Sequence, residues 1–298
     1  MFSIISEYAR ASGCIVKEQE SLREYNTFKI GGTAELIIMP EDSACLPGLF
    51  KIIKEQGASY HILGNGSNVL IADKHFAGVF IVLSRMGNID ADGEYIHAGA
   101  GASLNKLAGI ARDSNMSGLE FAYGIPGTLG GAVVMNAGAY GGQMSDIVYS
   151  SEYLELDTLE TRVIGREEHE FGYRRSIFGG NKLILSCRLR LKQGNKREID
   201  ALMQKNMQAR RDKQPLDYPS AGSVFKRGEN YFAAQVIDEC GLKGAAVGGA
   251  QVSEKHAGFI INCGGASFDD VISLIEHVKS VVREKTGIEL EREVRIIE

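Results

Sequence analysis

Apolar residues along this chain fall into two rhythms, and each rhythm predicts a different element. Residues 43–56 carry Leu46, Leu49, Phe50 and Ile53 at helical spacing and meet a stop at Gly57. Residues 103–114 repeat that spacing behind Ser103, a candidate N-cap. Helices are also predicted over 1–20, 199–211 and 233–240. The longest stripe is Val271, Leu274, Ile275, Val278, Val281 and Val282, opened by a Ser267–Asp270 capping pair and closed by Gly287. Short β-type runs lie between: 61–63, 69–72, 79–83, 95–98, 152–157 and 183–191. In the last of these Leu189 and Leu191 alternate with Arg188, Arg190 and Lys192, one face inward and one in water. Segment 26–40, NTFKIGGTAELIIMP, reads as a strand, a glycine turn and a second strand ended by Pro40. Segment 288–297 reads as a strand, with Ile288, Leu290, Val294 and Ile296 on one face and Glu289, Glu291, Glu293 and Arg295 on the other.

One stretch fits neither rhythm. YGIPGTLGGAVVMNAGAYGG, 123–142, holds seven glycines, one proline and almost no charge. Such a run is poor helix and poor strand, but it lets a ligand approach the main chain closely. Its use is to wrap N–H groups around a large anionic ligand such as a dinucleotide. Val133, Val134 and Met135 inside it predict burial. Gly64-Asn65-Gly66-Ser67-Asn68 is a second loop of this kind. Neither Gly64-x-Gly66 nor Gly99-x-Gly101 completes a Rossmann fingerprint, and no GxxxxGK[ST] occurs. The cofactor is therefore expected in an extended pose over loops and short strands.

Composition narrows the class. The length of 298 residues suggests about two domains, with a polar junction near 193–198. The chain has 36 glycines, well above the usual ~7 %. Net charge is −5, which disfavours nucleic acid and anionic membranes as partners. No apolar window is long enough to span a membrane and no secretion signal is read, so the cytoplasm is the expected compartment. The five cysteines are widely spaced without CxxC, and the six histidines lack HxH or HxxxH spacing. Free thiols and no metal centre are expected.

Local charge and small turns mark the candidate chemistry. Lys205, Arg210, Arg211, Lys213, Lys226 and Arg227 oppose only Asp212 and Asp217, which suits an anionic small ligand. Tyr173-Arg174-Arg175 places two guanidinium groups beside a phenol, and arginine's planar fork suits phosphate or carboxylate. Ser223 follows a small flexible turn in PSAGSVFK, with no GxSxG elbow to make it a hydrolase nucleophile. A serine hydroxyl is a weak acid and serves as a proton donor only to a strongly basic acceptor, such as a carbanion.

Taken in order, YNTFKIGG (25–32), LGNGSNVLI (63–71), GLEFAYGIPGTLGGAVVMNAGAYGG (118–142), GYRRSIF (172–178), PSAGSVFKR (219–227), GLKGAAVGGAQVSEKHAGFIIN (241–262) and LEREVRII (290–297) resemble the UDP-N-acetylenolpyruvoylglucosamine reductase family. The resemblance runs from about residue 20 to the C-terminus and looks like the shorter branch, without an extra tyrosine loop. It implies an α+β fold: a vanillyl-alcohol-oxidase-type FAD-binding domain over 1–193, then a smaller α+β substrate-binding domain over 194–298. It implies non-covalent FAD, NADPH as reductant, and reduction of UDP-N-acetylglucosamine enolpyruvate to UDP-N-acetylmuramate for peptidoglycan precursor synthesis. Hydride goes to C3 of the enolpyruvyl group and a proton to C2. By the same resemblance Gly64, Asn65, Gly66, Ser67, Asn68, Gly127, Thr128, Asn136 and Gly138 hold FAD. Arg174, Ser223 and Glu293 are catalytic, Ser223 as the proton donor and the other two at the substrate carboxylate. Tyr173, Arg211, Lys226 and His256 bind the sugar nucleotide, with Arg210 an alternative to Arg211 and Glu291 to Glu293. A monomer is expected. Two departures stand out: Lys226-Arg227-Gly228-Glu229 lacks a proline common after the FK pair, and Arg292 replaces a proline in the last motif. Another flavoenzyme of the same fold, or a non-catalytic nucleotide-sugar binder, are the alternatives.

Overall fold

The computed structural model describes residues 1–298. Its chain forms two compact units, each discontinuous in sequence. The first is Met1–Gln19, Glu35–Asn65 and Ala77–Ala209; the second is Glu20–Ala34, Gly66–Phe76 and Arg210–Glu298. These units do not follow the linear 193/194 division. Phe28, Ile30 and Leu70 belong to the apolar core of the second unit, while Ile199 and Met203 of the Lys196–Lys213 helix belong to a core of the first.

Two cores build the first unit. In one, helices Phe2–Ala11 and Leu46–Glu55 pack on a four-stranded sheet in the order Ile15–Ser21, Thr33–Met39, His75–Val82, Ser59–Leu63. Leu46, Leu49, Phe50 and Ile53, the stripe predicted for this helix, are fully buried. The helices approach closely because residue 48 is glycine; a Cβ there would run into the Tyr8 hydroxyl. The other core lies against a five-stranded antiparallel sheet ordered Glu160–Gly165, Val148–Glu155, Lys182–Arg190, Tyr95–Gly99, Ile89–Asp92. Helix Leu104–Asp113 and the short helix Leu129–Val134 fill it. Leu189 and Leu191 point inward between exposed Arg188, Arg190 and Lys192, the alternation read from sequence.

The second unit is a four-stranded antiparallel sheet, Ser220–Ser223, Phe259–Asn262, Ala250–Val252, Ala246–Val247, with helices Ala233–Glu239 and Phe268–Thr286. The long helix buries Val271, Leu274, Ile275, Val278 and Val282. Ser267 Oγ accepts from Asp270 N (3.1 Å), and Asp270 accepts from Ser267 N (2.9 Å), completing the predicted capping box. Those donors hold the Asp270 carboxyl below its usual range. Gly287 closes the helix at φ +75°. The class is α+β, as the resemblance implied.

Four segment readings are corrected. The first helix ends at Ala11, because Gly13 at φ +79° turns the chain into the Ile15–Ser21 strand. No strand forms over 26–30: buried Asn26 donates to the carbonyls of Leu22 (2.8 Å) and Ile30 (2.9 Å), so its amide closes a loop instead. The glycine-rich stretch does contain a helix, Leu129–Val134. In 288–297 only Arg295–Ile297 is a paired strand, parallel to Val69–Ile71, although Leu290 and Val294 stay buried and Glu289 and Glu291 exposed.

His169 sits in the second of the first unit's cores. A carbonyl only accepts, so Nδ1–H donates to Gly165 O at 2.8 Å and Nε2 accepts from Ser151 Oγ at 2.8 Å. The ring stacks on Phe171. Burial lowers its pKa below 6.5, the neutral form being favoured in the fold. A depressed histidine gives its full contribution above the unfolded value and loses it as pH falls from there toward the folded value. His169→Gln is expected to cost about 1–3 kcal/mol at neutral pH through the broken buried bonds. It should also flatten the decline of the urea midpoint below 6.5. An unchanged decline would assign the acid sensitivity to other groups.

Candidate functional site

In the first unit the glycine-rich stretch is stitched onto the turn that follows the Tyr95–Gly99 strand. Leu129 N and Gly130 N each donate at 2.8 Å, to Ala102 O and Ala100 O, and Leu104 N donates to Gly127 O at 3.2 Å. Ser103 and Thr128 form an antiparallel bridge. The backbones are so close that a Cβ on Gly130 would lie 2.9 Å from the Ala100 Cβ. This approach, rather than ligand contact alone, requires a glycine there. The Asn65 side chain donates to Pro126 O at 2.7 Å, and a Cβ on Gly64 would collide with Thr128 Oγ1. The fold thus brings Gly64, Asn65, Gly127 and Thr128 together.

Asn136 makes contacts of its own within the chain. It is buried in the left-handed region at φ +41°. Its Oδ1 accepts from Ser145 N at 2.9 Å, and its Nδ2 donates to Gly172 O at 3.1 Å. Gly172 and Arg175 exchange backbone bonds of 2.9 and 3.3 Å, closing the turn that carries Tyr173 and Arg174. Arg174 is itself held at φ +54°, an uncommon conformation for a side chain of its size. Its guanidinium carbon lies 5.2 Å from the Tyr173 ring centroid. Gly138 opens a two-residue hairpin whose turn, Tyr140-Gly141, has φ +51° and +84°, the twist that matches flanking strands.

In the second unit one carbonyl organises the candidate acid. Val224 O accepts from Glu293 N at 2.7 Å, and Val224 N donates to Gly258 O at 2.8 Å. Ser223, directly before it, ends the Ser220–Ser223 strand, half-buried, with its hydroxyl donating to Phe225 O at 3.2 Å. Lys226 N donates to Glu291 O at 2.9 Å, and the Lys226 ammonium pairs with the Glu291 carboxylate. Glu291 is exposed and Glu293 half-buried, so the two glutamates that sequence left as alternatives stand in different surroundings. Arg210 is likewise buried and Arg211 exposed. The Arg211 carbonyl accepts from Lys255 Nζ at 2.5 Å. Burial lowers the His256 pKa, and Nδ1 accepts from Gly258 N at 3.2 Å, leaving Nε2–H as its donor.

Asn68 O accepts from Arg295 N at 3.0 Å and its amide donates to Glu293 O at 3.4 Å. The N–H groups of Gly66, Ser67 and Asn68 meet no acceptor in the chain, and Gly66 is buried. Uncommitted N–H groups in a glycine loop, with the Ser67 hydroxyl and no carboxylate among these three residues and Asn65, fit the diphosphate of a dinucleotide such as FAD. An open depression elsewhere, lined by Arg112, Asp113, Lys196 and Asp200, contains none of these residues. Within it Arg112 pairs with Asp200 at 3.2 Å and Lys196 with Asp113 at 2.9 Å.

A curated relative from Caldanaerobacter subterraneus subsp. tengcongensis, a UDP-N-acetylenolpyruvoylglucosamine reductase, is 45% identical over 93% of this chain and 92% of its own. This chain belongs to the UDP-N-acetylenolpyruvoylglucosamine reductase family. The family's C-terminal domain model matches residues 214–297, and an FAD binding domain model matches 34–158. The solved reductase of that family from Thermus caldophilus is 34% identical, with a TM-score of 0.82 over 96% of this chain and 100% of that one. A chitooligosaccharide oxidase at 13% identity and a TM-score of 0.50, over 97% of this chain and 60% of that one, shares the fold alone. The fold is the vanillyl-alcohol-oxidase type of FAD-binding domain followed by the reductase family's own C-terminal domain.

Sequence reasoning did not find the Asn136–Gly172 link or the Lys226–Glu291 pair, since neither partner's identity is signalled by local spacing. Asn136→Ala should release the 172–175 turn, speeding amide exchange there about tenfold or more, with about 1–3 kcal/mol lost in stability. Hydrogen exchange with mass spectrometry reads this directly; unchanged protection over 172–178 would leave the turn standing without Asn136.

Proposed function

We propose that this protein reduces UDP-N-acetylglucosamine enolpyruvate to UDP-N-acetylmuramate with electrons from NADPH, a step of peptidoglycan precursor synthesis. The observation that carries the reading is the placement of Ser223 and Glu293 beside Val224, joined through one 2.7 Å backbone bond, in a chain that aligns nearly end to end with such reductases. Bound FAD supplies the two-electron relay between NADPH and the enolpyruvyl double bond.

The chain's own residues then have separable tasks. Gly64, Asn65, Gly127, Thr128 and Gly138 with Gly66, Ser67 and Asn68 hold the dinucleotide, and Asn136 holds the backbone that presents Tyr173 and Arg174. Reduction at C3 leaves negative charge at C2 that spreads into the substrate carboxylate. Arg174 stabilises that charge with a planar, permanently charged fork. Glu293 acts there in its protonated form or as a hydrogen-bonding partner, because a bare carboxylate would repel the same charge. Ser223 gives its proton to C2, an acceptor basic enough to deprotonate an alcohol. Lys226 exchanges its Glu291 partner for the substrate diphosphate, and Tyr173, Arg211 and His256 complete the sugar-nucleotide contacts, His256 through a neutral Nε2–H. We place the enzyme in the cytoplasm as a monomer, where NADPH and nucleotide sugars are available.

The test is anaerobic absorbance of the FAD-loaded protein. NADPH should bleach the flavin and the enolpyruvyl sugar nucleotide should restore it. Recovery withheld would remove the substrate from the reading. Ser223→Ala should bleach as the wild type does, then recover slower by about 10²–10⁴-fold. Unimpaired recovery in that variant would remove Ser223 from the proton transfer.

A further inference from the structure

Cys14 and Cys45 lie outside all the residues placed around cofactor and substrate. Their sulfurs are 3.5 Å apart, although 30 residues separate them in sequence. Cys14 follows the Phe2–Ala11 helix and is anchored by its N–H to Ala9 O at 2.9 Å. Cys45 is the N-cap residue of the Leu46–Glu55 helix, and the turn that carries it is fixed by Asp42 Oδ1 accepting from Ala44 N at 2.6 Å. Cys14 is buried and Cys45 half-buried, so Cys45 is the sulfur that solvent reaches first. It also sits where a helix N-terminus favours negative charge. Its pKa is lowered by the hydrogen bond from the Cys14 thiol, while that bond, burial and the Glu41 charge raise the pKa of Cys14. The other three thiols lack a partner sulfur. Cys187 is pushed up to about 12 by burial, Cys240 is buried, and Cys263 is exposed and distant in sequence from any other.

We propose that Cys14 and Cys45 are a reversible thiol-oxidation site, closed to a disulfide by hydroperoxides and reopened by dithiols. Closing the contact to a bond of about 2.05 Å requires the sulfurs to move about 1.5 Å, the scale of a side-chain adjustment. The Cys45 thiolate attacks one peroxide oxygen; the O–O bond breaks, leaving a sulfenic acid on Cys45 and, after proton uptake, one water. The Cys14 sulfur then attacks the Cys45 sulfur, the S–O bond breaks, and the departing hydroxide takes the Cys14 proton as a second water. The two sulfurs give up two electrons in all, and these reduce one hydrogen peroxide to two waters. A dithiol reverses the change by exchange at the exposed sulfur. The bond ties the end of the first helix to the start of the second, whose packing already depends on the Tyr8–Gly48 approach.

The experiment treats the full-length, FAD-loaded protein with dilute hydrogen peroxide, then alkylates it under denaturing conditions. The expected product is about 2 Da lighter, loses two of its five alkylatable thiols, and yields one dithiothreitol-reversible peptide pair joining Cys14 to Cys45. Its Tm should rise reversibly, by about 3–8 °C. Cys14→Ser should stop the reaction at a dimedone-reactive Cys45, and Cys45→Ser should leave no cross-link. Five intact thiols after treatment, a cross-link through Cys263, or a sulfenic acid trapped on Cys14 in Cys45→Ser at the wild-type rate would each overturn the proposal.

Discussion

The glycine-rich stretch of the first unit depends on one close approach between two chain segments. Gly130 rests on Ala100 with no room for a side chain, and the bonds from Leu129 and Gly130 to Ala102 and Ala100 fix the start of the only helix in the glycine-rich stretch. Everything else in the stretch is positioned from there. The helix runs to Val134, Asn136 turns left-handed behind it, and its amide reaches Gly172. The Tyr173–Arg174 turn is therefore set by a chain of contacts that starts at a glycine over thirty residues earlier. Glycine content in this protein serves packing as much as ligand access: a Cβ on Gly142 would lie 2.7 Å from the Phe121 ring.

In the second unit the same economy is achieved with hydrogen bonds. Val224 spends its N–H on Gly258 and its carbonyl on Glu293, so Ser223 and Glu293 move only if the local sheet moves. Placing side chains beside a backbone group whose both ends are committed is a way of holding them without any buried charge pair. The lone pairs of the Ser223 hydroxyl stay available while its proton rests on a carbonyl, a weak acceptor that yields readily to a stronger one.

Much of this was legible in sequence, and the failures share a physical cause. The long helix from 268 to 286 was readable to the residue, because capping box, stripe and terminal glycine all act locally. The Leu46–Glu55 helix and the Lys182–Arg190 strand were readable for the same reason. Segment 26–30 was not, since its apolar Phe28 and Ile30 are buried in a loop closed by Asn26 rather than on a ladder. The terminal segment kept its alternation in burial while pairing over only three residues, because strand pairing depends on a partner that periodicity does not reveal. The candidate site residues were picked out by motif order, and the couplings of Asn136 to Gly172 and Lys226 to Glu291 required coordinates. The discontinuous units were invisible to any reading that advances along the chain.

That discontinuity has a consequence for how the molecule comes into being. The second unit's core takes Phe28, Ile30 and Leu70 from the first quarter of the chain and Val271 through Val294 from the last. Its parallel pairing of Val69–Ile71 with Arg295–Ile297 joins residues more than two hundred positions apart. On a ribosome, the early segments emerge long before their partners exist, so this unit closes only once the segment through Ile297 has been made. Loop closure of that span is slow and entropically costly. The pairing that fastens Asn68 to Glu293 and Arg295 accordingly waits on a segment made more than two hundred residues later.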